Sequence, residues 1–211
     1  NFGYLSQANL LVLWHIDARG KLKRIEKIEV DPITMVHDFV VTSRHIVIVL
    51  PPYHYEGAEA ANFLDAHIWR PEDPTRVLVI DKNDFTNRQW YELPAQWIFH
   101  FGNGWEDEAG VIRFDAARTD NPLVMVDTFR DLMSGTSTSA SPSQHHRYQI
   151  DTKAKRINEA PMFGLFVDSE FPSVDPRVSC RQNERLCLLT HNQNKPTTHM
   201  NLNEVSMYSY K

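Results

Sequence analysis

The sequence predicts an all-β fold of many short strands, and three observations carry that expectation. Apolar or alternating runs recur at roughly 8–12-residue intervals, the spacing of sandwiches, barrels and propellers. Clusters of Asp, Asn, Gly, Ser and Thr, the residues that favour turns, fall between them. Only one short segment, the Ala-rich residues 56–65, has the composition of a helix.

Taken in order, residues 10–14 are apolar and lead into Asp17-Ala18-Arg19-Gly20, a turn. Residues 22–30 set charges against Ile25, Ile28 and Val30, as a half-exposed strand does. Residues 35–41 and 45–50 flank Thr42-Ser43-Arg44 and read as a hairpin. Residues 77–80 are β-branched and apolar and run into the turn Asp81-Lys82-Asn83-Asp84. Residues 96–101 and 111–114 are expected as strands on either side of a Gly/Asn-rich loop containing Gly102-Asn103-Gly104. Residues 123–129 and 147–150 continue the strand series, and the Ser-, Thr- and Gly-rich residues 131–143 read as a loop. No fixed-period repeat is visible, so the strand series alone does not choose between sandwich and propeller.

Composition narrows the function. The 211 residues are 42 % hydrophobic and 23 % charged, as in an ordinary globular domain, and this excludes disorder of the whole chain. The net charge is −5 and the pI is near 6.1, with no basic stripe, which argues against a nucleic-acid partner. The longest apolar runs, such as residues 46–50, are too short to span a bilayer. The chain opens at Asn1 and ends at Lys211, both within or beside strand-like sequence. It is therefore expected to be an internal portion of a longer protein, whose N-terminal signal would lie upstream. Cys180 and Cys187 have no zinc-type spacing and read as reduced thiols of a cytoplasmic protein.

Ten histidines are more than a core needs. His145 and His146, at the tail of the polar loop, are expected to face solvent. His191 and His199 lie in a polar stretch, and His54 and His67 flank the Ala-rich segment. His37, in Met35-Val36-His37-Asp38-Phe39, and His100, in Trp97-Ile98-Phe99-His100-Phe101, stand instead inside apolar runs. A buried imidazole must be hydrogen-bonded or bear a metal, and neutral imidazole is a good iron or zinc ligand. A rival is His15-Ile16-Asp17, an H-x-D triplet that shares one strand face and is the local part of a facial-triad iron site. Asp17 is also well explained by the turn that follows. There is no G-x-S-x-G elbow, phosphate loop or H-E-x-x-H, and the pair Glu106-Asp107 reads as solvated charge.

At these two histidines a family becomes recognisable. Met35-Val36-His37-Asp38-Phe39-Val40-Val41-Thr42 resembles the M-x-H-D-F-x-x-T segment of carotenoid cleavage oxygenases. Phe99-His100-Phe101-Gly102-Asn103-Gly104-Trp105-Glu106-Asp107 resembles their F-H-x-x-N-A-x-E-D segment. Glu170-Phe171-Pro172 with Asp175-Pro176-Arg177 resembles E-x-P-R-x-D-x-R, and the opening, with Phe2-Gly3-Tyr4 and residues 14–22, fits the stretch before the first segment. Two departures stand out: Ser173 replaces an arginine, and Gly104 replaces an alanine in a small-for-small exchange.

The resemblance implies a seven-bladed β-propeller with Fe(II) on its axis, held by four histidines. His37 matches the second ligand and His100 the third, while Glu170 matches a glutamate that orients a ligand imidazole. Asp38 and Glu106 match motif positions and are expected to support strand ends. Segments for the first and fourth ligands are absent, so residues 1–211 are expected to be one partial propeller domain from the middle of the enzyme. By itself this portion should not hold iron tightly, and its open sheet edges favour aggregation.

The implied activity is O₂-dependent cleavage of a C=C bond in a carotenoid, apocarotenoid or stilbene-type substrate, to two carbonyl products. Isomerase relatives share the same ligands. The implied location is cytoplasmic, and peripheral membrane contact is compatible with so apolar a substrate. Phe39, Trp97, Phe99, Phe101 and Trp105 are expected mainly as core, with tunnel lining as the alternative. Two other functions stay open at this stage: a non-catalytic propeller that binds partners, and the facial-triad oxygenase built on His15 and Asp17.

Overall fold

The computed structural model describes residues 2–5, 8–57, 59–60, 62–136, 142–163, 167–192, 194 and 202–210. His199 lies outside them. Strands dominate, and they form successive antiparallel sheets. The first sheet joins β1 (Phe2–Leu5), β2 (Leu10–Ile16) and β3 (Leu22–Glu29). The second joins β4 (Val40–Val41), β5 (His45–Leu50), β8 (Thr75–Asp81) and β9 (Arg88–Leu93). Between β5 and β8 the chain makes a separate hairpin of β6 (Tyr53–Tyr55) and β7 (His67–Trp69). The third sheet joins β10 (Trp97–Glu106), β11 (Ile112–Thr119), β12 (Gln144–Asp151) and β13 (Arg156–Pro161). The fourth joins β14 (Ser169–Ser173), β15 (Arg185–Thr190) and β16 (Glu204–Ser209).

Three of the four sheets are filled by consecutive strands, as a propeller blade is, and the second departs only by the β6–β7 hairpin set between β5 and β8. The first strands of the last three sheets lie side by side, β4 against β10 and β10 against β14. The all-β fold is thus part of a propeller, and this packing puts the leading edge of each blade against the next.

The second sheet explains its own sequence. Val47, Val49, Val77 and Val79 pack toward the third sheet, against Ile98, Ile112, Phe114 and Tyr148. Their strand neighbours Ile48, Leu50, Leu78 and Ile80 pack the other way, against Leu11, Leu13 and Ile28 of the first sheet. Successive side chains point to opposite faces, so a strand sandwiched on both sides must be apolar at every position. Each such side chain contributes about 1.5–3 kcal/mol on burial. A third cluster joins Met35, Tyr53, Trp97 and Met125 beneath the β6–β7 hairpin.

Four expectations need correction. Residues 35–39 are not strand; only Val40–Val41 pairs, with Ile46 and Val47. Gly102-Asn103-Gly104 is not a loop but the middle of β10, and the turn comes later, at Asp107 to Gly110. A Cβ on Gly102 would press into the Asp115 carboxylate, and one on Gly104 into Val40, so these are strand glycines placed where other groups approach the backbone. Residues 123–129 are helical rather than extended. A π-turn over Val124–Thr128 runs into α1 (Phe129–Ser134), and Met125 and Thr128 are buried at helical spacing while Leu123 is exposed. The described part of 56–65 forms turns, because Asn62 takes the Asp65 amide with its side chain and so competes with helix.

Candidate metal centre

The leading edges of three neighbouring blades carry His37, His100 and Glu170. His37 precedes β4, His100 lies in β10 and Glu170 in β14. The His37 and His100 rings are 5.1 Å apart, centre to centre, at an interplanar angle of 82°. Phe99 stands edge-on to His37 at 5.0 Å. Neighbours in a regular strand point to opposite faces, yet Phe99 and His100 both reach His37. The cause is the irregular register of β10 between Ile98 and Gly104, where bulging re-aims side chains.

His100 Nδ1 lies 2.8 Å from Glu170 Oε2. The carboxylate accepts from this nitrogen, which fixes the proton on Nδ1 and leaves Nε2 as the free donor of an electron pair. The same carboxylate oxygen accepts from the Phe171 amide at 2.6 Å. Phe171 adopts φ +52° at a break in the β14–β15 register, and its ring packs 4.8 Å from His100. Glu170 is therefore held by its own strand and does not need an arginine at position 173. The bond to Glu170 raises the pKa of His100 against the opposing effect of burial. Removal from water lowers that of His37, and the positive charge of a protonated His100 lowers it further. His37 is exposed at its outer edge, not buried as its apolar neighbours suggest, because Val36 and Val40 take the core side.

The motif polar residues tie these segments together. Asp38 accepts from the Phe39 amide at 2.7 Å and from the Phe101 amide at 3.3 Å, linking the neighbours of both histidines. Thr42 and the Arg44 side chain donate to Glu106, as does the Arg44 amide at 3.0 Å, and His45 Nδ1 lies 3.1 Å away. Glu106 is 2 % exposed at its side chain, not a solvated charge. Burial pushes its carboxyl up, but these bonds outweigh burial and hold it at about 2. Asp107 caps the turn through the Val111 amide and pairs with Arg113 at 2.8 Å. Asn103 donates to Arg181 O at 2.7 Å and accepts from the Cys180 amide at 3.2 Å, fastening β10 to the loop after β14.

Other sequence candidates lie elsewhere. His15 is exposed, and Asp17 accepts from the Arg19 and Lys21 amides at 2.9 Å each, which makes it a turn residue. His145 and His146 are buried, against expectation. His145 Nε2 lies 2.7 Å from Asp115, which also accepts from Tyr210 at 2.8 Å. The i, i+2, i+4 series His146, Tyr148, Ile150 shares one buried face and was the available signal for that strand. The thiols of Cys180 and Cys187 are free. Trp97 is core, while Phe99 and the unforeseen Phe171 ring wall the histidine pair.

Two imidazoles that share one ion at about 2.1 Å, in neighbouring coordination positions, have ring centres about 5 Å apart. The observed 5.1 Å and the fixed Nδ1 proton of His100 fit such a pair. Among the described residues no group of three or more His, Cys, Asp or Glu side chains could hold an ion by itself.

Comparison with known proteins identifies the family and the fold. A model of the family described as retinal pigment epithelial membrane protein matches residues 1–210. The carotenoid 9,10(9′,10′)-cleavage dioxygenase 1 of Arabidopsis thaliana is 29 % identical over 126 residues, 57 % of this chain and 23 % of that protein. The lignostilbene dioxygenase of Pseudomonas brassicacearum superposes with a TM-score of 0.78 at 21 % identity, covering 96 % of this chain and 44 % of that one. A cobalt-substituted ACO of Synechocystis superposes with a TM-score of 0.75 at 21 % identity, covering 95 % and 41 %. The chain spans less than half the length of these relatives.

Proposed function

Because the chain belongs to the family of the retinal pigment epithelial membrane protein, we propose that the whole protein is a non-haem Fe(II) dioxygenase. It would cleave a C=C bond of a carotenoid, apocarotenoid or stilbene-type substrate to two carbonyl products. In this reading residues 1–211 are the central part of a longer enzyme, and two further imidazoles come from outside them. The observation that carries the proposal is the facing pair His37 and His100, brought together from two blade edges with Glu170 on one Nδ1.

His37 and His100 would hold the iron together with imidazoles from outside these residues, and the metal would supply a cationic centre for O₂ chemistry. The chain's own residues prepare the place. His37 offers an imidazole whose pKa burial lowers, which favours the neutral ligand form, and His100 has Nε2 left over because Glu170 holds its other nitrogen. Asp38 and the Thr42–Glu106 bond keep the two histidine segments in register. Phe99 and Phe171 flank the imidazoles with apolar surface, which suits a polyene or stilbene.

The test is incubation of the iron-loaded, full-length protein with a carotenoid and with a hydroxystilbene, in air and under argon. Paired aldehyde or ketone products that form only with O₂ are expected. A geometric isomer as the sole product, or no conversion across both substrate classes by an iron-replete protein, would contradict cleavage.

A further inference from the structure

His37, His100 and Glu170 stand on leading segments of three neighbouring blades, and those segments meet a second time further along the chain. Val41 follows His37, Asn103 follows His100, and the loop of residues 174–184 follows Glu170, each at three or four residues' remove. At roughly 3.3 Å per extended residue, this second meeting lies up to about 10–13 Å from the first.

Asn103 makes the junction. It lies in β10 and is 5 % exposed. Its side-chain nitrogen is 2.7 Å from Arg181 O, 3.0 Å from Asn183 Oδ1 and 3.3 Å from Val178 O, and its oxygen accepts from the Cys180 amide at 3.2 Å. An amide side chain suits this place because it donates twice and accepts at once. From the same loop Cys180, at φ +63°, donates its thiol hydrogen to Val41 O at 3.3 Å. The loop after β14 therefore grips β10 and β4 together. Asp115 holds β10 from its other neighbour: it accepts from the Asn103 amide at 3.3 Å, and its carboxylate fills the place of a Gly102 Cβ.

The Phe171 amide orients the Glu170 carboxylate within its own strand. It does not set that strand against β10. The β14–β15 ladder is short and broken between Glu170 and Ser173, so the placement of β14 depends on contacts between blades.

From this arrangement we infer that Asn103 is a positioning residue for the histidine pair: by clamping the loop after β14 to β10, it sets the approach of Glu170 to His100 and hence the aim of the His100 ring. The inference rests on the metal site proposed above and adds to it a residue that acts from behind, through Glu170.

The experiment is Co(II) titration of the full-length protein, read by visible absorption, as a double-mutant cycle of Asn103→Ala and Glu170→Gln, with thermal unfolding of the same four proteins. Asn103→Ala should lower Co(II) affinity about tenfold in the parent. In the Glu170→Gln background it should lower it by less than about twofold, because the bond it positions is already lost. The fall in melting temperature should be alike in both backgrounds, since the loop bonds are lost in each. Asn183→Ala removes one acceptor of the clamp. It should show the same pattern in smaller measure, and it carries the test if Asn103→Ala does not fold. A folded clamp variant with the parent's affinity overturns the inference. So does an equal loss in both backgrounds, the mark of a residue that is structural alone. A folded parent that takes up no Co(II) contradicts the metal site and this inference with it. A parent that binds Co(II) and shows the coupling, yet cleaves neither substrate class when iron-loaded, contradicts the dioxygenase reading alone.

Discussion

Gly104→Ala tests how the two histidine segments are held together. Gly104 lies in β10, beyond His100, and faces Val40 of the neighbouring blade. An added Cβ would sit deep inside the contact radius of Val40 Cγ1, and also 3.3 Å from Val41 O and 3.4 Å from Thr42 Cγ2. Carbon atoms prefer about 3.5–4.0 Å, so Val40 or the whole β4 segment must move. Val40 is 3 % exposed and packed in the largest core cluster, and its branched side chain has few alternative rotamers. Overpacking of this kind costs about 1–3 kcal/mol. Alanine is usual at this position in the related segment, and the exchange looks neutral in sequence. The structure shows otherwise, because the space is already filled by Val40.

The assay is urea denaturation of the parent, Gly104→Ala, Val40→Ala and the double variant. Each single change should destabilise, Gly104→Ala by about 1–3 kcal/mol and Val40→Ala by roughly 2 kcal/mol. The double variant should be more stable than their sum by at least about 1 kcal/mol, since the new methyl occupies the space the valine leaves. A Gly104→Ala protein within about 0.5 kcal/mol of the parent, or strict additivity, would refute the argument.

Two further predictions concern the carboxylates. The folded-state pKa of Glu106 is depressed from 4.5 to about 2, so its stabilisation is complete above about pH 4.5 and disappears as pH falls toward 2. The shift corresponds to about 3 kcal/mol at most, and Glu106→Gln should flatten the acid limb of urea midpoint against pH between those values; an unchanged limb would remove Glu106 from the account. Glu170→Gln keeps the size of the side chain but removes the charge that orients His100, so Fe(II) or Co(II) affinity, read by titration, should fall about 10- to 100-fold while thermal stability changes little. Unaltered affinity would mean that the His100–Glu170 bond is structural alone.

The fold class was legible because the strands announce themselves in two ways. Residues 45–50 and 77–80 are apolar throughout, since both faces are covered, and residues 22–29 alternate with one side in water. The helical turn at 124–134 was not legible, because a short apolar run fits strand and helix alike until burial at 125 and 128 shows the period. Gly102 and Gly104 misled for a different reason: glycine marks turns in most contexts, and here it marks close approach by Asp115 and Val40. His37, His100 and Glu170 could be picked out one by one from motif residues. Their meeting could not, because it depends on β4, β10 and β14 lying edge to edge across sequence separations of more than sixty residues.

The most direct test of the central claim is elemental iron analysis of the full-length protein beside its His37→Ala and His100→Ala variants, each purified after anaerobic Fe(II) loading. The account predicts about one iron per chain in the parent and little in either variant, with all three proteins folded. Equal iron in parent and variants, or a folded parent that takes up none, would contradict the assignment of this histidine pair to the metal.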